Sequence, residues 1–236
     1  MSWSWEVAER DHEIQDPTSA EKIRLLGEYV RLDESSRVVD LACGKAGPAI
    51  VLAEAFGCRI QGVELRPAFA DAARARVAAR GLGGLVSIET ADASTYPLEP
   101  DAWDAALCLG ASFVWGHIGD AAAALAPAVR PGGFVAIGEP FWHESGVAAD
   151  DFVDLAATVD RFQAGGLALT GLIAASEDDW DRYESLHWRA VEEWLAANPE
   201  HGDAGEIREQ HLSRREDYLR SQRPRLGWAI FVGRKS

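Results

Sequence analysis

Val38-Val39-Asp40-Leu41-Ala42-Cys43-Gly44-Lys45-Ala46-Gly47 is the stretch on which the fold turns. With Arg37, its first half is a short β-branched apolar run, the pattern of a buried strand. Its second half is small and glycine-bearing. Pro48 follows, and proline suits the first turn of a helix because its missing N–H has no partner there. Residues 49 to 56 continue that helix and Gly57 ends it. Strand, tight turn and helix in this order open an α/β sheet, and small turn residues let backbone approach a ligand closely.

Working outward, the unit repeats. Residues 59 to 65 read as a second strand, and Pro67 opens a helix with Phe69, Ala73 and Val77 on one face. Residues 86 to 90 form a third strand. Residues 103 to 109 form a fourth, nearly continuous in apolar character, as a parallel strand covered on both faces should be. A helix is predicted over 118 to 130, a sharp turn at Arg130-Pro131-Gly132-Gly133, and a fifth strand over 134 to 137. Upstream, Asp16-Pro17-Thr18-Ser19 starts a helix carrying Ile23, Leu26 and Val30. Beyond Pro140 the pattern predicts a helix over 150 to 164, a sixth strand over 167 to 175, helices over 179 to 197 and 204 to 222, and a last strand over 227 to 232. Alternating strands and helices imply an open, mostly parallel seven-stranded sheet with helices on both faces. The reading is one domain over 1–236, with a helical cap over 1–30 and a helical insertion over 177–223 before the last strand.

The chain has 236 residues, 38 acidic and 23 Lys or Arg, for a net charge of -15. That disfavours nucleic acid as a partner, and the small basic run from Arg214 to Arg225 reads as a solvated helix face. No signal peptide and no membrane span is expected. Cys43, Cys58 and Cys108 match no zinc spacing, and their use fits a reducing cytoplasm.

Three acids fall at successive strand ends. Asp40 would repel a pyrophosphate and suits a ligand with a cationic amine. Glu64, 24 residues on, can accept both hydroxyls of a ribose. Asp92 can accept an exocyclic purine amine. With the turn, these residues resemble the class I S-adenosylmethionine-dependent methyltransferases, in particular small bacterial members with a ubiquinone/menaquinone-biosynthesis-type motif set, over about residues 15 to 140 and the final strand. The resemblance implies a Rossmann-like fold and S-adenosyl-L-methionine as cofactor. Asp40 would orient the methionyl amine, and the turn from Ala42 to Gly44 would pack under the cofactor. Glu64 would take the ribose, and Asp92 with the backbone of Ala93 the adenine. Leu109, in Cys108-Leu109-Gly110-Ala111, would pass beside the methionine part. The chain departs from the family motif at Ala42 and Ala46, where glycines are usual. Alanine there suits backbone near α or β. Lys45 replaces a common small hydroxyl residue.

The activity implied is methyl transfer to a small-molecule acceptor by direct in-line displacement. A non-catalytic S-adenosylmethionine-binding protein and an NAD-type oxidoreductase stand as alternatives. Trp115, Trp142 and Phe113 lie after strands four and five and are the candidate acceptor wall. Glu139, His117 and His143 are the candidate bases. Trp3 and Trp5 would fold over the cofactor with the N-terminal segment. No metal is expected, because the histidines show no ligand spacing. The residues leave the acceptor and the oligomeric state open.

Overall fold

The computed structural model describes residues 2–149 and 151–236, residues 2 and 3 as backbone only. The chain opens with α1 (Ser2–Ala8) and, after an irregular segment, α2 (Ala20–Tyr29). Ser19 caps α2, its side chain accepting from the Lys22 N–H. Then come β1 (Arg37–Leu41), α3 (Gly47–Phe56), β2 (Arg59–Glu64), α4 (Pro67–Ala79), β3 (Val86–Thr90) and β4 (Trp103–Leu109). Proline stands in the first turn of both α3 and α4, and Gly57, left-handed at φ 69°, closes α3. The second half holds α5 (Ile118–Leu125), β5 (Val129–Trp142), a small ribbon of β6 (Ala148–Ala149) and β7 (Phe152–Val153), and α6 (Leu155–Ala164). It ends with β8 (Ala168–Ala174), α7 (Glu177–Ala197), α8 (Ala204–Asp217) and β9 (Leu226–Arg234).

Seven strands form one sheet in the order β3-β2-β1-β4-β5-β9-β8. Neighbours among β1 to β5 are parallel, and β9 runs antiparallel between β5 and β8. This is the mostly parallel, seven-stranded sheet expected, with the helical insertion α7–α8 before the final strand. Strand alternation splits the core in two. Val38 joins the cluster holding Ile23, Leu26, Ile50 and Ala73, whereas Val39 and Leu41 join the one holding Ile118, Ala122 and Phe162.

Three of the boundaries that differ from the sequence reading have a local cause. Helix α5 stops at Leu125 and gives way to a tight turn over Ala126–Ala128. Pro127 has no N–H to donate to the preceding turn, so the helix cannot run on to 130. Strand β5 begins at Val129, and the stretch expected as a sharp turn is a bulge within it. The chain end holds that bulge: Gly132 N–H donates to Lys235 O and Lys235 N–H to Gly133 O, each at 2.9 Å. Helix α6 starts late because Asp154 caps it, accepting from the Ala157 N–H at 2.8 Å, and the β6–β7 ribbon occupies the residues before it.

Candidate functional site

The strand order reverses between β1 and β4, and in such sheets the ligand crevice lies beyond the carboxyl ends of those strands. A cavity of about 780 Å³ opens there, within the size range of small-molecule sites. Its floor is the β1–α3 turn and its walls come from the ends of β2, β3 and β4. Its roof is the N-terminal segment together with the insertion.

The turn is left-handed at Ala42 (φ 56°), Gly44 (φ 56°) and Ala46 (φ 59°). The expectation that both alanines lie near α or β is therefore corrected. Hydrogen bonds over-determine the backbone: Cys43 N–H donates to Val63 O, Ala46 N–H to Cys43 O, and Gly44 N–H to Glu64 Oε2 at 2.9 Å. Glu64 Oε1 accepts from the Arg66 N–H at 2.8 Å. Each carboxylate oxygen has a second lone pair, so capacity for a diol remains.

Asp40 is buried beneath the cavity, and its Oδ2 has no hydrogen-bond partner. Burial, reinforced by Asp16 and Glu64, pushes its carboxyl up to about 8. Asp16 also lines the cavity and is pushed up to about 7, chiefly by burial and then by Glu9. Asp92 lies at the exposed rim. Its Oδ1 accepts from the N–H and hydroxyl of Ser94, which holds its carboxyl below the usual range. Ala93, Leu109 and Phe113 are on the same lining, as is Leu65, 61% exposed beside Glu64. Asp16 and Leu65 are absent from the sequence reading, which took Asp16 only as part of a helix start.

Lys45 has a use that the sequence hides. Its Nζ donates to Glu9 O at 2.5 Å and to Arg10 O at 3.2 Å, and its N–H donates to Gln15 Oε1 at 2.7 Å. Arg76 adds bonds to Glu13 O and Lys45 O. The N-terminal segment is thus strapped across the turn. A Cβ on Gly47 would meet Glu13 O at 2.1 Å, so this glycine admits the strap. Trp5 lines the cavity, while the side chain of Trp3 lies outside the described residues.

On the far side stand Trp5, Glu9, Tyr183, Glu184 and Arg214, from α1, the strap, α7 and α8. His187 Nε2 lies 2.8 Å from Glu9 Oε1, and the Tyr183 hydroxyl donates to the same oxygen at 3.3 Å. Arg214 pairs with Glu184 at 2.9 Å, and its guanidinium lies 5.1 Å from the Trp5 ring centre. Glu9 and His187 are 178 positions apart, which is why no spacing announces them.

The candidate bases and two of the three acceptor-wall residues lie elsewhere. His117 caps α5, its Nδ1 accepting from the N–H groups of Gly119 and Asp120. His143 stacks edge-on to Phe141. Trp115 packs on the core cluster under α5, and Trp142 donates its Nε1–H to Ala149 O at 3.0 Å. Glu139 is buried behind the cavity wall and accepts from the Ser112 hydroxyl; burial pushes its carboxyl up to about 7. The basic run is neutralised residue by residue: Arg214 by Glu184, Arg215 by Glu192, Arg220 by Glu216, Arg223 by Asp181 and Arg225 by Glu144. Among the described residues no helix is long and apolar enough to cross a membrane.

A methyltransferase-domain family model matches residues 38–133, which runs from β1 into the β5 bulge. The chain is similar along its length to a crystal structure of a S-adenosylmethionine-dependent methyltransferase from Thiobacillus denitrificans in complex with S-adenosyl-L-homocysteine. The two share 32% identity with a TM-score of 0.91, covering 98% of each chain. A Geobacter sulfurreducens methyltransferase, also in complex with S-adenosyl-L-homocysteine, shares 30% identity over 99% of this chain and 98% of its own, with a TM-score of 0.91. The Escherichia coli protein YjhP is 29% identical over 96% of this chain and 95% of its own. Sheet order, strand-end cavity and full-length relatives agree: the chain belongs to the class I S-adenosylmethionine-dependent methyltransferases and is an enzyme that uses that cofactor.

Proposed function

We propose that the enzyme transfers the methyl group directly to a small-molecule acceptor, with Asp40 and Asp16 facing the cofactor's cationic amino acid end. One observation carries the cofactor half. Two buried carboxylates meet at the strand ends with no ion-pair partner among the described residues, and one oxygen of Asp40 has no hydrogen bond. Such a pair is unfavourable until a cation arrives. On this reading Glu64 accepts the ribose hydroxyls and Asp92, with the Ala93 backbone, binds the adenine. Leu65 lies against its face. The turn from Ala42 to Gly44 runs beneath, and Leu109 flanks the methionine part.

When bound, S-adenosylmethionine supplies an activated, positively charged methyl donor, so the chain's own share is alignment and exclusion of water. The lid of Trp5, Trp180 and Tyr183 supports that role. In-line displacement needs an acceptor held opposite the sulfur, and the aromatic lining from Phe113, Trp5 and Trp180 suits a small apolar or aromatic molecule. Glu139 is best read as a positioning group that fixes the Ser112–Val114 turn, since it lies off the cavity wall. The ubiquinone/menaquinone-type expectation rests on the motif set alone. Three buried free thiols support a cytoplasmic location, and the paired arginines a non-nucleic acceptor.

Isothermal titration tests the cofactor assignment. Wild type should bind S-adenosylmethionine, Glu64→Ala should bind at least tenfold more weakly, and Asp92→Asn more weakly by a smaller factor. A wild type that does not bind overturns the proposal, and unchanged affinity in Glu64→Ala overturns the ribose role.

A further inference from the structure

Glu9, His12 and His187 form a buried cluster at the cavity's edge whose hydrogen bonds do not close. His12 Nε2 lies 2.9 Å from the Tyr183 carbonyl oxygen, which can only accept, so Nε2 carries the proton. In the neutral ring Nδ1 is then a lone pair, and it faces Glu9 Oε2 at 3.4 Å, acceptor against acceptor. His187 has the same difficulty. If its Nε2 donates to Glu9 Oε1, its Nδ1 is a buried lone pair with a Glu184 oxygen 4.0 Å away. Glu9 Oε2, His12 Nδ1 and His187 Nδ1 all lack hydrogen-bond partners, and all three residues are at most 2% exposed. A proton shared by Glu9 and His12 would satisfy that pair alone and leave His187 Nδ1 unpaired. Each unpaired buried group costs about 1–3 kcal/mol, so the cluster calls for a different occupant.

We propose that the cluster binds a divalent transition-metal ion through His12 Nδ1, His187 Nε2 and a carboxylate oxygen of Glu9. Ligand atoms from the three residues lie within 4.8 Å of one another. The 3.4 Å between His12 Nδ1 and Glu9 Oε2 matches the edge of roughly 3.3 Å that ligands about 2.0 Å from a tetrahedral ion make. Both remaining ring nitrogens then carry a proton, as they do in ligating imidazoles. His12 Nε2–H donates to Tyr183 O at 2.9 Å, while His187 Nδ1–H faces the Glu184 carboxylate at 4.0 Å, a charge contact longer than a hydrogen bond. Two imidazoles and one carboxylate suit zinc, cobalt(II) or iron(II) better than magnesium or calcium, which prefer all-oxygen sites. Three protein ligands leave a coordination position, and Glu9 borders the cavity. The acceptor class that fits therefore carries an oxygen, nitrogen or sulfur donor atom. That last step rests on the proposed methyl transfer, whereas binding of the ion does not.

The full chain, stripped with chelator and free of cofactor, is titrated with cobalt(II) and followed by visible absorption, then displaced with zinc. Wild type should take up one equivalent, show ligand-field bands and melt at a higher temperature with the ion. His12→Asn and His187→Asn should bind at least about tenfold more weakly, while His143→Asn should match wild type. Circular dichroism checks that the variants are folded; if they are not, the wild-type titration decides alone. A wild type that takes up neither cobalt(II) nor zinc at micromolar concentration overturns the proposal, as does equal uptake by a folded His12→Asn. Metal uptake without cofactor binding would sink the proposed function and leave the metal site standing.

Discussion

Ala42 and Ala46 occupy the same backbone region for the same reason, yet their replacement by glycine should differ. An L-residue at positive φ costs about 1–2 kcal/mol, and glycine removes most of that. Ala42 is only partly buried, so Ala42→Gly should stabilise the protein by about 1 kcal/mol. The Ala46 methyl is fully buried in the core. Deleting a buried methyl costs about 0.8 kcal/mol, so Ala46→Gly should come out near neutral. Urea midpoints at constant m-value measure both, and a destabilised Ala42→Gly would contradict the strain. Asp40 gives a pH prediction. Burial pushes its free-state carboxyl up to about 8 and its charged form binds the cation, so cofactor affinity should rise as pH climbs from 6 toward 8. The sign for stability is the opposite. A folded pKa raised above the unfolded value means that the ligand-free fold binds more protons, and it loses stability as pH rises through this window. The thermal shift produced by cofactor should therefore grow with pH, and Asp40→Asn should flatten the trend, leaving only the part that Asp16 carries.

At the scale of elements, the strap over the β1–α3 turn is the feature most open to test. Lys45→Met removes a buried bond to Glu9 O and a partly buried one to Arg10 O. Glu9 O keeps the His12 N–H at 3.1 Å, whereas Arg10 O loses its side-chain donor, and an unpaired carbonyl costs about 1–3 kcal/mol, enough to open the segment without unfolding the sheet. Hydrogen exchange at residues 9 to 16 should quicken at least tenfold, with β1 and β4 unchanged. Protection that is unaltered would show that the strap is held elsewhere. Gly47→Ala should act on the same segment, because its methyl would strike Glu13 O.

At the scale of the molecule, the N-terminal cap and the insertion form one roof. Arg10–Glu193 and Arg189–Asp11 join them at the exposed rim, and Glu9–His187 joins them inside. Exposed pairs contribute about 0–1 kcal/mol each, so Arg10→Ala with Arg189→Ala should change the melting temperature little. Removing the buried link by Glu9→Ala should lower it by several degrees. Glu139→Gln should keep turnover within about threefold if the carboxylate only positions the Ser112 turn. A general base should lose 10²–10⁴-fold.

What the sequence determined by itself is what local pattern and chain order control. β-branched runs, Pro48, Gly57 and Pro67 set strand and helix ends, because those signals act within a few residues. Parallel strands then bring their carboxyl ends to one edge, so Asp40, Glu64 and Asp92 gather there whatever the packing beyond them. Tertiary structure decided the rest. The left-handed turn at Ala42 and Ala46 follows from bonds to β2, not from alanine's own preference. Lys45 reads as a motif departure until the strap lies over it. Trp115 and His117 follow β4, Trp142 ends β5 and His143 follows it, but helix capping and packing use them away from the cavity. Glu9, His12 and His187 meet only when α7 packs on the N-terminal segment. A contact between residues that far apart leaves no periodicity to read, since burial and packing alone select it.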